Sequence, residues 1–199
     1  MSSTAATSEN AAETIQERIL EAALIQFVEV GVKKTTIEDI ARKAGVDRVT
    51  VYRRVGSRDD VVRAVTDWEV RKLLAELAEL PARNDTLEDL VVEVFTTVLT
   101  RWRTHPLVQR MLTLEPGRLL PQLTTEGGAF FLMSVAATTE ILRNAMREKG
   151  FREIRDLEVR VEVVCRIMHS LILQPTSTLD LDAGLTAFAR DYIRPIITD

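Results

Sequence analysis

The chain has 199 residues, 46% of them hydrophobic, and a formal net charge of −4, enough for one good core and a smaller satellite domain. A single cysteine, Cys165, excludes an intramolecular disulfide and suits a reducing cytoplasm. No apolar run reaches the ~18 residues of a membrane helix, and the first residues lack the basic start and apolar run of a signal peptide, so no membrane partner is expected.

Residues 1–13 are small and polar and predict a disordered tail, without the lysines or arginines of a minor-groove arm. Thr14, with Glu17 three positions on, predicts the start of a first helix that buries Ile15, Ile19, Ala22, Ala23 and Phe27 and ends at Gly31. From Thr35 to Arg58 the pattern is two short helices around a tight turn. Thr36 and Asp39 form a capping box, and Ile37, Ile40, Ala41 and Ala44 share one face. Gly45 supplies a permissive backbone for the turn, Val46 plugs the corner and Asp47 caps the next helix. That helix turns Val51, Tyr52 and Val55 inward and shows Arg48, Thr50, Arg53 and Arg54 on its other side, the arrangement of a helix-turn-helix with a recognition helix.

Charge distinguishes this segment from a plain helical corner. Residues 33–58 carry eight basic side chains against Glu38, Asp39 and Asp47, a local balance of +5 that leaves −9 for the rest of the chain. A basic island on an acidic protein favours double-stranded DNA as a partner, because neutralising phosphates releases counterions.

The residues from Ile15 to Val65, in particular the order helix, Gly, paired Thr, Ile-Ala, Ala-Gly-Val, Thr-x-Tyr and Ser-Arg-Asp, resemble the DNA-binding domain of the TetR family of bacterial transcriptional regulators. The resemblance implies DNA contacts from Thr36, Arg48, Thr50, Val51, Tyr52, Arg53 and Arg58. This sequence departs from the family where Val49 replaces a usual glycine, Arg54 a common histidine and Val55 a usual phenylalanine. Val49 keeps the backbone further from the groove floor and suits a thymine methyl.

Ser57 and Asp60 form another box that starts a fourth helix, running through Val61, Val65, Trp68 and Leu73 to Leu77 and stopped by Pro81. The expected domains are a helix-turn-helix over 14–56 and an effector-binding and dimerisation domain over 57–199, with the fourth helix as their link. A fifth helix, Thr86 to Thr104, carries a stripe at steps of three and four from Leu87 to Trp102. Pro106 opens a short sixth helix, and Glu115-Pro116-Gly117 breaks the pattern. Further helices are expected over 126–149, 154–174 and 180–194. The fold class is therefore all-α with about nine helices, which is also the family's plan.

In the family, the C-terminal helices enclose a small-molecule pocket and the last two pair with a second subunit. Aromatic, methionine and histidine residues at helical spacing are ordinarily core, so it is the resemblance that implies effector contacts at Phe95, Trp102, His105, Met111, Phe131 and Met168. The helix over 154–174 is apolar on more than one face, which calls for burial on two sides and fits a homodimer through the last two helices. Cys165 and His169, four apart, raise a soft-metal or redox site, but a closed zinc site wants four ligands, so a thiol packed in the dimer seam is expected and no metal. No catalytic motif and no cofactor signature occurs. The expected function is a cytoplasmic, homodimeric, sequence-specific regulator, a repressor released from a palindromic operator by a small hydrophobic or amphipathic effector. The alternatives are a ligand-independent or partner-gated regulator or activator and, more remotely, an all-helical enzyme or an interaction scaffold.

Overall fold

The structure is a computed structural model that describes residues 3–174, 181 and 183–199, with side chains described except at 3–14, 118, 119, 122 and 123. Among the described residues it is helical throughout, with no strand. It forms two compact units, Met1–Lys72 and Leu73–Asp199. The division falls inside a helix rather than at residue 56, because Val61 and Val65 of that helix are buried with the first unit's core.

In the first unit, α1 spans Ser3–Glu29, α2 Ile37–Ala44 and α3 Arg48–Arg54, and α4 (Arg58–Arg83) begins there. α1 starts well before the Thr14 expected from the sequence, over a stretch where Ala5, Ala6, Ala11 and Ala12 favour helix, so the expected tail from Ser3 on is helical instead. Ile19, Ala23 and Phe27 of α1, Ile40 of α2 and Val51 of α3 are all essentially inaccessible, with α1 packed on α2 and α2 on α3. Arg18 ties α1 to the end of α2, its Nη2 donating to the Ala44 carbonyl at 2.6 Å. Gly45 makes the turn possible: it is left-handed at φ 67°, and its N–H and that of Val46 reach back to Arg42 and Ala41.

In the second unit α4 continues to Arg83 and carries Pro81 within it, rather than stopping there. A proline in a last turn removes one backbone donor there, and the last carbonyls of the helix, which have no intrahelical donor, need other partners. Here Asn84 Nδ2 donates to the Leu80 carbonyl at 2.9 Å and to Glu93, while Lys149 Nζ donates to the Asn84 carbonyl at 2.6 Å. α5 (Leu87–Thr104), capped by Thr86, packs against α6 (Pro106–Leu114), α8 (Gly128–Lys149), α9 (Leu157–Leu173) and the last helix, and its stripe is buried from Leu87 to Leu99.

The break at Glu115-Pro116-Gly117 does end α6, but a helix absent from the sequence reading follows at once, α7 over Pro116–Leu123. Pro116 occupies its first turn, where a missing N–H costs nothing. α9 begins at Leu157 rather than Ile154, after Asp156 in the left-handed region at φ 56°. The last helix, α10, joins Leu185–Phe188, a π-helical turn Ala189–Ile193 and Arg194–Thr198; its expected start at Asp180 lies outside the described residues. The π turn has a cause in Pro195, which has no N–H to return to the preceding turn. Arg194 N–H reaches the Ala189 carbonyl and Arg194 Nε the Arg190 carbonyl instead.

The first unit's core rests on few large side chains, and Phe27 is the largest of them. Phe27→Ala is expected to lower its stability by about 3–5 kcal/mol, a large share of what a small domain possesses. Chemical denaturation followed by circular dichroism checks this.

Candidate functional site

The basic segment is held together by three carboxylates, each at a helix start. Thr36 Oγ1 donates to Asp39 Oδ2 at 2.6 Å, and the Asp39 N–H donates back to Thr36 Oγ1 at 3.2 Å, closing the box at α2. Asp47 accepts from the Thr50 N–H at 2.6 Å and starts α3. Ser57 donates to Asp60 through its hydroxyl at 2.5 Å and its N–H at 2.8 Å, and starts α4. Gly56 is required beside this box: at φ 117°, a Cβ there would lie 2.7 Å from Asp60 Oδ2. Hydrogen bonds to the ionised form hold all three carboxyls below their ordinary value: from Thr36 for Asp39, from the Thr50 backbone for Asp47, and from Ser57 for Asp60.

α3 is a short rod with one wet face. Val49 is 71% exposed and Tyr52 50%, and Arg48, Arg53 and Arg54 are exposed beside them. Tyr52 therefore stands outward rather than in the core, since the narrow rod buries Val51 and half-buries Val55 and leaves no room for a third inward side chain. Val51 is sealed in the core at 0% exposure, so the DNA contact expected of it is not available to its side chain. It lies about 100° round the helix from Tyr52 and faces α2 instead. Thr50 is half-buried at the Asp47 cap.

Two of the expected DNA contacts, Thr36 and Arg58, are already engaged within the chain. The Thr36 hydroxyl proton is committed to Asp39. Arg58 donates through Nε to the Thr35 carbonyl at 3.0 Å and through Nη2 to the Val32 carbonyl, straps that tie the start of α4 to the α1–α2 loop. Arg48 Nη1 stands 3.8 Å from Glu38 in an exposed pair, weak enough to yield to a phosphate or base. Lys34 and Arg54 are exposed and hydrogen-bond to no described residue. Both belong to the basic island, and Arg54 to the outward side of α3; exposure distinguishes them from engaged cations such as Arg18 and Arg58.

The second unit holds a cavity of about 70 Å³ between α5, α8 and α9. Of the expected effector residues, Phe95, Trp102 and Met168 line it. His105, Met111 and Phe131 do not: His105 joins α5 to α6, Met111 and Phe131 pack half-buried against the core, and the Phe131 ring stands edge-on to His169 at 5.2 Å. Phe130, Ser134, Thr138 and Leu142 line it from α8, a stripe at strict four-residue spacing that its two hydroxyls disguise as a polar face. From α9 come Cys165 and His169. The thiol thus faces the chain's own interior and not a subunit seam, because the outward face of α9 is the one carrying Val159 and Val163. Burial pushes the thiol up to about 11, which keeps it protonated and unreactive, and burial also lowers the His169 pKa, which keeps the imidazole neutral.

Residues 19–65 match the family described as bacterial regulatory proteins, tetR family. An uncharacterized HTH-type transcriptional regulator of Mycobacterium bovis is 34% identical over 51% of this chain and 52% of its own length, so this chain matches about half of that relative. The HTH-type transcriptional regulator AqdR of Rhodococcus erythropolis is 29% identical over 77% of this chain and 72% of its own. The crystal structure of the TetR family repressor AlkX from Dietzia sp., implicated in biodegradation of n-alkanes, superposes with a TM-score of 0.62 at 23% identity, covering 92% of this chain and 96% of that one. No helix among the described residues is long and apolar enough to cross a membrane.

Two outcomes follow from this geometry. The capping carboxylates have folded pKa values below the ordinary 3.8, so their contribution to stability is full above that value and is lost as pH falls through the depressed values. Acid titration of stability is therefore expected to steepen below about pH 4, and Asp47→Asn, which keeps a capping acceptor but cannot titrate, is expected to flatten the slope. Arg58→Ala is expected to cost about 1.5–3 kcal/mol of stability through its lost carbonyl bonds. Arg53→Ala is expected to leave stability within about 0.5 kcal/mol and to act on DNA affinity alone. Thermal melts set beside DNA titrations separate the two.

Proposed function

We propose, for a chain whose residues 19–65 match the tetR family of bacterial regulatory proteins, the function of a sequence-specific DNA-binding transcriptional regulator. The observation that carries the proposal is the exposed face of α3, where Arg48, Val49, Tyr52 and Arg53 project from a capped rod within a segment of charge +5 on an otherwise acidic chain. Arg48 and Arg53 reach guanine edges, Val49 meets a thymine methyl, and Tyr52, Lys34 and Arg54 hold phosphates. Thr36 and Arg58 act one step back, fixing α2 and the start of α4.

The regulator works as a homodimer. α9 leaves Val159 (62%) and Val163 (42%) exposed one turn apart, and α10 leaves Tyr192 (65%) exposed, an apolar surface that a second copy covers. Two recognition helices about 34–36 Å apart then read a palindrome across one turn of DNA.

It acts as a repressor released by a small molecule in the second unit. The cavity of about 70 Å³ is well below the range of ligand sites, ~300–1,000 Å³, so an effector fits only when the walls part. That is the differential affinity a switch requires: the ligand binds the expanded state and so shifts the population toward it. α4 contributes residues to both units and carries the change toward the DNA-binding end.

Selection of bound duplexes from random DNA at two salt concentrations tests the reading. A palindrome with half-sites about one turn apart is the expected result. Weak, sequence-blind binding that disappears with salt would leave only electrostatic attraction and defeat the proposal.

A further inference from the structure

The cavity in the second unit has a lopsided chemistry. Its α5 wall is Val91, Val94, Phe95, Val98 and Trp102, wholly apolar apart from the indole N–H. Opposite lies the seam between the neighbouring helices α8 and α9, where Ser134 and Thr138 stand four apart on one and Cys165 and His169 four apart on the other. Among the described residues that line the cavity none is Asp, Glu, Lys or Arg.

The seam has hydrogen-bonding capacity to spare. Ser134 Oγ donates to the Phe130 carbonyl at 2.9 Å, so its proton is used and only lone pairs remain. Thr138 and His169 hydrogen-bond to no described residue. A threonine hydroxyl and a neutral imidazole each offer one donor and at least one acceptor. A ligand hydroxyl satisfies both sides at once, accepting from one group and donating to another, whereas a ketone or ether leaves the Ser134 lone pairs unmatched. A charged ligand finds no counter-charge in this lining, and burying an unpaired charge costs far more than one hydrogen bond returns.

We propose that this cavity takes an uncharged, mainly apolar small molecule bearing a hydroxyl group, with its apolar body against α5 and its hydroxyl on Thr138 and His169. The inference rests on the effector reading above and gives that effector its chemical class. Thr138 and His169 are the residues that set specificity, and the valines and Phe95 supply affinity without discrimination.

The test uses four probes of similar shape: benzyl alcohol, ethylbenzene, benzoate and benzylammonium. The chain has two tryptophans. In a full-length Trp68→Phe protein the remaining one, Trp102, sits edge-on to Phe130 at 6.2 Å in the cavity wall and reports occupancy by fluorescence. Benzyl alcohol is expected to bind roughly three- to tenfold more tightly than ethylbenzene, the worth of one net hydrogen bond. Benzoate and benzylammonium are expected not to bind at concentrations that saturate with the alcohol. Thr138→Val and His169→Phe should each shrink the alcohol preference while leaving ethylbenzene affinity unchanged, which also shows that the variants are folded.

A charged probe that binds as tightly as the alcohol would overturn the proposal. So would a preference that survives both substitutions, or no response to any of the four. A DNA titration run in parallel keeps the two readings separate. Probes that bind in the expected order without changing DNA affinity defeat release by effector and leave the cavity chemistry standing. A charged probe that binds and releases DNA does the reverse.

Discussion

A seven-residue helix does not hold its shape in water, because nucleating a helical turn costs more than so few hydrogen bonds return. Everything the first unit can do depends on defeating that constraint for α3. Asp47 satisfies a backbone donor at its start, and Val51 anchors it in a core built by α1 and α2. The turn before it is closed by Gly45, and the helix after it is strapped to the same core by Arg58. The exposed face is small, but each side chain on it projects from a backbone that four separate contacts immobilise. A rigid rod of this kind can spend its binding free energy on contacts rather than on ordering itself.

The same economy explains why basic residues in one segment have different fates. Arg18 and Arg58 are spent on carbonyls of the α1–α2–α4 framework, Arg42 and Lys43 on exposed carboxylates, and Arg48 only loosely on Glu38. Arg53, Arg54 and Lys34 remain at the surface. Guanidinium forks suit the framework role because one planar group spans two carbonyls at once. The +5 balance is therefore partly structural, and the share of it that faces outward is what an approaching phosphate meets first.

The second unit follows a different logic. α5 is enclosed by α6, α8, α9 and α10, and the cavity beside it is lined from α8 by Ser134 and Thr138 between Phe130 and Leu142. Ser134, Thr138 and His169 supply hydrogen-bonding groups to a lining that is otherwise mostly apolar. Burial keeps Cys165 and His169 neutral there, so the pocket's lining carries no charge in the neutral range.

Much of this was legible in the residues themselves. Caps are local, so Thr36 with Asp39 and Ser57 with Asp60 could be read from spacing of three, Asp47 from its place before α3, and the apolar stripes of α2 and α5 from spacing of three and four. Proline was the weakest guide: Pro81 lies inside the last turns of a helix that Asn84 closes at the Leu80 carbonyl, and Pro116 opens a helix where the sequence suggested only a break. Three-dimensional packing alone decided that Val51 is core and Tyr52 surface, that Arg58 serves carbonyls, and that Ser134, Thr138 and His169 line the cavity while Phe131 does not. Spacing along one helix says which side chains share a face. Which neighbour that face meets, and what is left unpaired there, depends on helices distant in the chain.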